Sequence, residues 1–197
     1  MDYTMKTIDE LESIHPEPPP AEPLVVSGRS EVLWFLGTLA RMKLDGRQTA
    51  GRFALWEAVL PRGAAPPLHS HPQDETFYIL EGELTVWLIE PGPAADASGL
   101  PGWGATQGRR CGVNDVMFAP GGTAHTFRVE SDTARVLVLS TPAGIEDMVL
   151  GLAEPAQWPW LQPPPEGPRI SPERTAAVER ETGMVRHGPP PPAHGQK

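Results

Sequence analysis

Proline and glycine cut the apolar residues of this chain into short runs, and that pattern limits what it can fold into. With 25 prolines and 20 glycines, long helices are unfavourable. Proline removes a backbone donor and clashes with the preceding turn, and glycine costs a helix interior about 1 kcal/mol. The runs themselves have strand length and end at turn signals. Residues 32–44 form one apolar–polar segment closed by Asp45-Gly46, and residues 52–60 stop at Pro61. Residues 76–80 and 84–89 flank Glu81-Gly82, which predicts a hairpin. Residues 116–119 stop at Pro120-Gly121-Gly122, and residues 123–129 and 134–141 flank a polar turn at Ser131-Asp132. Successive strands with no helices between them predict an all-β sandwich or barrel, not a parallel sheet.

The rest of the chain reads differently. Residues 91–112 are rich in Gly, Pro and Ala and predict a long loop. Apolar residues at 145, 148, 149 and 152 have helical spacing. Ser171-Pro172 is a helix start, a capping hydroxyl before a first-turn proline, and Gly183 is a stop. That helix has few large apolar residues, which predicts a place on the surface or at a subunit contact. Prolines crowd the two ends. The expected organisation is a Pro-rich extension over 1–24, a barrel over 25–160, and a C-terminal helix with a Pro-rich tail over 161–197.

Composition excludes some partners. A formal charge of −9 with no basic patch disfavours nucleic acid and anionic membranes. Cys111 is the single cysteine, so no intramolecular disulfide can form. Residues 1–20 carry acids and prolines rather than the apolar core of a secretory signal, and the longest apolar stretch, 32–40, is too short to span a bilayer. The expectation is a cytoplasmic protein.

The chemistry lies in the middle. His69 and His71 are two residues apart, so on an extended chain both imidazoles face one way. Glu75 follows past Pro72, at the start of the next strand, and His125 opens a later strand after Pro120-Gly121-Gly122. A histidine pair alone is often a surface accident. Three imidazoles with one carboxylate suit Fe, Ni, Co, Mn, Cu or Zn, and predict one divalent transition metal without choosing among them. Phe77 and Phe127 stand two residues beyond Glu75 and His125, hence on the same inward face, and are candidates for a substrate-pocket wall; either alone reads more readily as barrel core. His15, His187 and His194 lie in tail-like segments and are not expected as ligands.

Spacing turns these residues into a resemblance. Gly63, His69, His71, Glu75 and Gly82 fit every fixed position of the first cupin motif: G, five residues, H-x-H, three or four residues, E, six residues, G. Pro120, Gly122 and His125 fit the second, where Asn114 replaces the first glycine and Val129 the last asparagine. Asn tolerates positive φ better than most residues, so Asn114 can serve the same turn. The chain therefore resembles the cupin superfamily. The segments around Trp34, Trp56, Phe77-Tyr78-Ile79-Leu80-Glu81-Gly82 and His125-Thr126-Phe127 resemble single-barrel, quercetinase-like cupins of bacteria.

The resemblance implies a double-stranded β-helix, or jelly-roll, barrel with short C-terminal helices. It implies a metal held by His69, His71, Glu75 and His125, with Glu75 also acting as the catalytic base. It implies a dioxygenase that consumes O2 with a flavonol-like or other enolisable aromatic substrate, in a homodimer. One copy of the motifs implies one barrel. A cupin fold does not fix a reaction. A metal-dependent isomerase or cyclase, and a non-catalytic ligand-binding barrel, remain as alternatives.

Overall fold

The computed structural model describes residue 24 and residues 31–89, 108–156 and 170–190. Twelve strands and two helices are present among them. The strands are β1 (Leu33–Phe35), β2 (Thr38–Leu44), β3 (Ala54–Pro61), β4 (Leu68–Ser70), β5 (Asp74–Glu81), β6 (Leu84–Ile89), β7 (Arg109–Cys111), β8 (Val116–Ala119), β9 (Ala124–Val129), β10 (Thr133–Thr141), β11 (Glu154–Pro155) and β12 (Val185–Gly188). The helices are α1 (Glu146–Leu152) and α2 (Pro172–Thr182).

The strands form two antiparallel sheets. One has seven strands in the order β11-β1-β2-β3-β10-β5-β8, the other five in the order β12-β4-β9-β6-β7. Sequence neighbours repeatedly fall in different sheets, as in a jelly roll. Alternation is clean where a strand sits at the centre of a sheet. In β3, Ala54, Trp56, Ala58 and Leu60 are buried while their neighbours are less so, and in β10, Ala134, Val136, Val138 and Ser140 follow the same rule. These residues join Phe77, Ile79, Leu84, Val86 and Val129 in one core. Each large apolar side chain so buried contributes roughly 1.5–3 kcal/mol.

The predicted strands are found, with three differences. The 32–44 segment is a hairpin, not one strand. Leu36 and Gly37 take φ of 48° and 86°, two left-handed residues that make a tight turn between β1 and β2. Leucine gives no signal for that conformation. The 91–112 stretch does not stay irregular to its end, because β7 pairs with β6; residues 91–107 lie outside the described residues. The C-terminal segment is no mere tail, because β12 adds to the edge of the smaller sheet beside β4.

Both helices start and stop as read from the sequence. Ser171 Oγ accepts from the Arg174 N–H at 3.2 Å, Pro172 opens α2, and Gly183 closes it with φ of 72°. Helix α2 is not simply a surface helix. Its Val178 packs over Gly151 of α1, where an added Cβ would stand 3.0 Å from the valine, and Arg174 Nε donates to the Gly151 carbonyl at 2.8 Å. Helix α1 is fixed at its other end by buried Glu146, whose carboxylate accepts from the N–H groups of Gly46 and Gly144. No helix among the described residues is long and apolar enough to cross a membrane.

Candidate metal centre

The four sequence-derived residues meet at one point. The candidate ligand atoms of His69, His71, Glu75 and His125 all lie within 4.8 Å of one another. Strand pairing explains part of this. His69 of β4 is the register partner of His125 of β9, so their side chains share a face, with ring centroids 4.5 Å apart. Glu75 comes from β5 in the opposite sheet, so the cluster bridges the two sheets at one end of the barrel.

Backbone contacts hold the connecting turns together. The Gly122 N–H donates to the His71 carbonyl at 2.8 Å, and the Gly121 N–H donates to Asp74 Oδ1 at 2.7 Å. A Cβ at Gly121 would fall 2.1 Å from the Pro72 carbonyl oxygen, so only glycine lets the two turns approach this closely. Asp74 is a supporting residue of the site. It ties the loop that carries His71 and Glu75 to the turn that launches His125. Asn114 has φ of 74° and so serves the turn a glycine would. Its side-chain oxygen also accepts from the Tyr78 hydroxyl at 2.8 Å, a contact glycine could not make.

Hydrogen bonds orient the imidazoles. His69 Nδ1–H donates to the Pro67 carbonyl at 2.7 Å, and His125 Nδ1–H donates to the Thr123 carbonyl at 2.9 Å. Both rings therefore turn Nε2 inward, the arrangement that fixes a metal-binding tautomer. His125 Nε2 lies 3.0 Å from Glu75 Oε2, and His71 Nε2 lies 3.4 Å from the same oxygen. Both ring nitrogens of His71 are buried without a hydrogen-bond partner. A buried imidazole with no partner is costly unless something else satisfies it. The donor set and this orphaned ring fit a transition-metal ion, and the cluster could bind one.

The electrostatics agree. Burial pushes the Glu75 carboxyl up, but the hydrogen bond from His125 and the close approach of the His71 ring outweigh it and hold the group well below the usual carboxylate range. Burial, then the charge of His125, push His69 down to about 4, so it stays neutral with a lone pair to give. His125 moves up: burial alone would lower it, yet its bond to Glu75 wins. The cluster holds one firmly ionised carboxylate beside imidazoles of unlike basicity.

The cluster opens onto a cavity of about 290 Å³. Phe77 and Phe127 both line it and meet edge to face with ring centroids 5.6 Å apart. Trp56 lines it too; Trp34 is buried elsewhere. Paired Ala40 and Ala58 form part of the wall and leave the space open, while Ile145, Met148 and Leu152 of α1 and its N-cap close one end. Two charged lining residues were missed by sequence reasoning: Glu179 of α2 and Arg186 of β12. Neither belongs to a motif; only the cap signals of α2 hinted that this segment is ordered. His187 lies outside the cluster. Its Nε2 lies 2.7 Å from Ser70 Oγ and so ties β12 to the histidine strand. His15 and His194 lie outside the described residues. Cys111 is buried in the core and is not in the cluster.

The cupin domain family model matches residues 56–94, the segment that carries the first motif. Quercetin 2,3-dioxygenase of Bacillus subtilis (strain 168) is 27% identical over 142 residues, covering 70% of this chain and 37% of that protein. The chain thus matches a little over a third of that relative's length. Among solved structures, KdgF from Halomonas sp. aligns with a TM-score of 0.48 and 18% identity over 61% of this chain and 94% of that one. Oxalate decarboxylase from Bacillus subtilis aligns with a TM-score of 0.46 and 19% identity over 73% of this chain and 37% of that one. With both motifs on neighbouring strands of a two-sheet barrel, and the family segment falling on the first of them, this chain resembles the cupin superfamily and, within it, the quercetinase-like cupins.

Proposed function

We propose that this protein is a metal-dependent dioxygenase acting on a flavonol-like or other enolisable aromatic small molecule. The observation that carries the reading is the junction of a three-histidine, one-glutamate cluster with a largely apolar cavity. Its volume, about 290 Å³, is at the lower end of the roughly 300–1,000 Å³ usual for small-molecule sites, which suits a compact ring system and not a polymer. The likeness to a quercetin dioxygenase supports the same substrate class.

His69, His71, Glu75 and His125 would hold the metal, which when bound supplies Lewis acidity toward an enolate-type oxygen and a site for dioxygen chemistry. The residues of the chain do the rest. Phe77 and Phe127 form an apolar wall against which a planar ring stacks and water is excluded. Glu75 accepts the substrate hydroxyl proton. Its present hydrogen bond from His125, with the His71 ring close by, keeps it a weak base; when those nitrogens turn to another partner, it loses the contacts that stabilise its charge and its basicity rises.

Oxygen uptake by metal-loaded protein, measured with a panel of flavonols and simple phenols, tests the reading. Uptake matched to substrate consumption is expected. Turnover of flavonols without oxygen uptake would replace this reading with an isomerase or cyclase. Binding without turnover would replace it with a ligand-binding barrel.

A further inference from the structure

We propose that Arg186, restrained by Glu179, is a second recognition element of the cavity and selects aromatic ligands that carry an anionic oxygen, either a carboxylate or an ionised phenol. This rests on reading the cavity as the substrate site and does not depend on oxygen chemistry there.

The placement follows from strand register. Arg186 of β12 pairs with His69 of β4. Directly opposed residues of an antiparallel pair point to the same side, so Arg186 shares the inward face of a cluster histidine. A register shift between Arg186 and Gly188 bends β12, the local device by which a sheet edge re-aims a side chain. The result is an arginine in the wall of a cavity otherwise lined mainly by apolar side chains; it is the one Lys or Arg among the described lining residues.

Its only described partner is Glu179. Arg186 gives Nε and Nη2 to a single oxygen, Oε1, of that carboxylate. Guanidinium has five N–H donors, and Nη1 donates to no described residue. Planar, permanently charged guanidinium suits a second, bidentate acceptor such as a carboxylate. The two side chains are 50% and 19% exposed, so the pair lies at the cavity's margin, where such a contact adds little stability. A purely structural clasp would be a weak one. As a recognition device it makes sense, because Glu179 neutralises Arg186 until an incoming anion competes for it.

Calorimetric binding to the metal-loaded protein tests this, using 2-naphthoate and its uncharged methyl ester as probes. The wild type is expected to prefer the carboxylate. Arg186→Met should weaken naphthoate at least ten-fold and leave the ester within two-fold, and Arg186→Lys should keep part of the preference. Glu179→Gln should act the other way and tighten naphthoate several-fold, because it removes the competing charge. The proposal is overturned if the wild type shows no preference for naphthoate, if Arg186→Met leaves the preference intact or weakens both probes alike, or if Glu179→Gln weakens naphthoate as Arg186→Met does. No oxygen is consumed in this assay, so a failed dioxygenase reading leaves its outcome unchanged, and its failure leaves the oxygen-uptake result standing.

Discussion

The cavity is bounded by two regions built on different principles. The cluster region, β4, β5, β9 and their turns, is held by main-chain bonds between turns and by a glycine that nothing else can replace at Gly121. The C-terminal region, α2 and β12, is held by a short edge-strand pairing with β4 and the packing of Val178 on α1, and otherwise by one helix cap, an arginine on a helix-end carbonyl, a serine–histidine contact and a partly exposed ion pair. The first has the rigidity that four convergent ligands need. The second is a sheet edge and a helix whose remaining fastenings are side-chain contacts. Rigidity at the chemistry and adaptability at the margin are properties a single cavity can combine only if different segments supply them. If so, lesions in the first region should remove metal, and lesions in the second should change what binds.

The largest effect is expected at the histidines. Replacing His69, His71 or His125 by Ala removes one of four donors, and metal content after dialysis should fall to a small fraction of one ion per chain. Stoichiometric metal in all three variants would break the comparison at its root. Glu75→Gln separates ligand from base. Turnover should fall about 10²–10⁴-fold, the usual worth of a positioned proton acceptor, while metal content falls much less. Equal losses in both would make Glu75 chiefly a ligand.

The two regions also differ in how far sequence reveals them. Ligand spacing is dictated by covalent distance along one or two strands, so His69, His71 and Glu75 could be read directly, and His125 through its Pro120-Gly122 lead. Gly121 occupies a variable position of the second motif, and nothing in a motif reports that it touches the Pro72 carbonyl. The β1–β2 turn was hidden because Leu36 adopts a conformation its side chain does not favour. Strand β12 was hidden because four residues at a sheet edge, with a charge on the inward face, have no apolar alternation to detect. Its pairing depends on β4, which lies more than a hundred residues earlier. Caps are local, so α2 was legible while its use was not.

A third lesion targets neither fastening but the space between them. Ala58 faces Ala40 across a strand pair in the cavity wall. Ala58→Phe should fill much of the cavity and lower kcat/KM for a flavonol at least ten-fold, with metal content near wild type. It should also destabilise the fold by roughly 1–3 kcal/mol if neighbouring side chains must move. Undiminished kcat/KM would mean that substrate does not enter this cavity.

The smallest effect is expected at the cap of α2. Ser171→Ala removes the acceptor for the Arg174 N–H and leaves Pro172 and Gly183 in place. Loss of such a cap costs about 1 kcal/mol, which for a chain of this size lowers Tm by roughly 2–4 °C. Fraying should start in the first turn, where Arg174 also reaches the Gly151 carbonyl, so amide exchange should quicken at the start of α2 and at the end of α1. Metal content should not change, because the lost cap is at the first turn of α2, whereas the contact with Pro72 and the pairing with the His69 strand lie at Gly183 and in β12. Preference for 2-naphthoate over its ester should shrink slightly, since Glu179 lies on the loosened helix. If metal content fell instead, the two regions would share one fastening, and the separation between a rigid centre and an exchangeable margin would be lost.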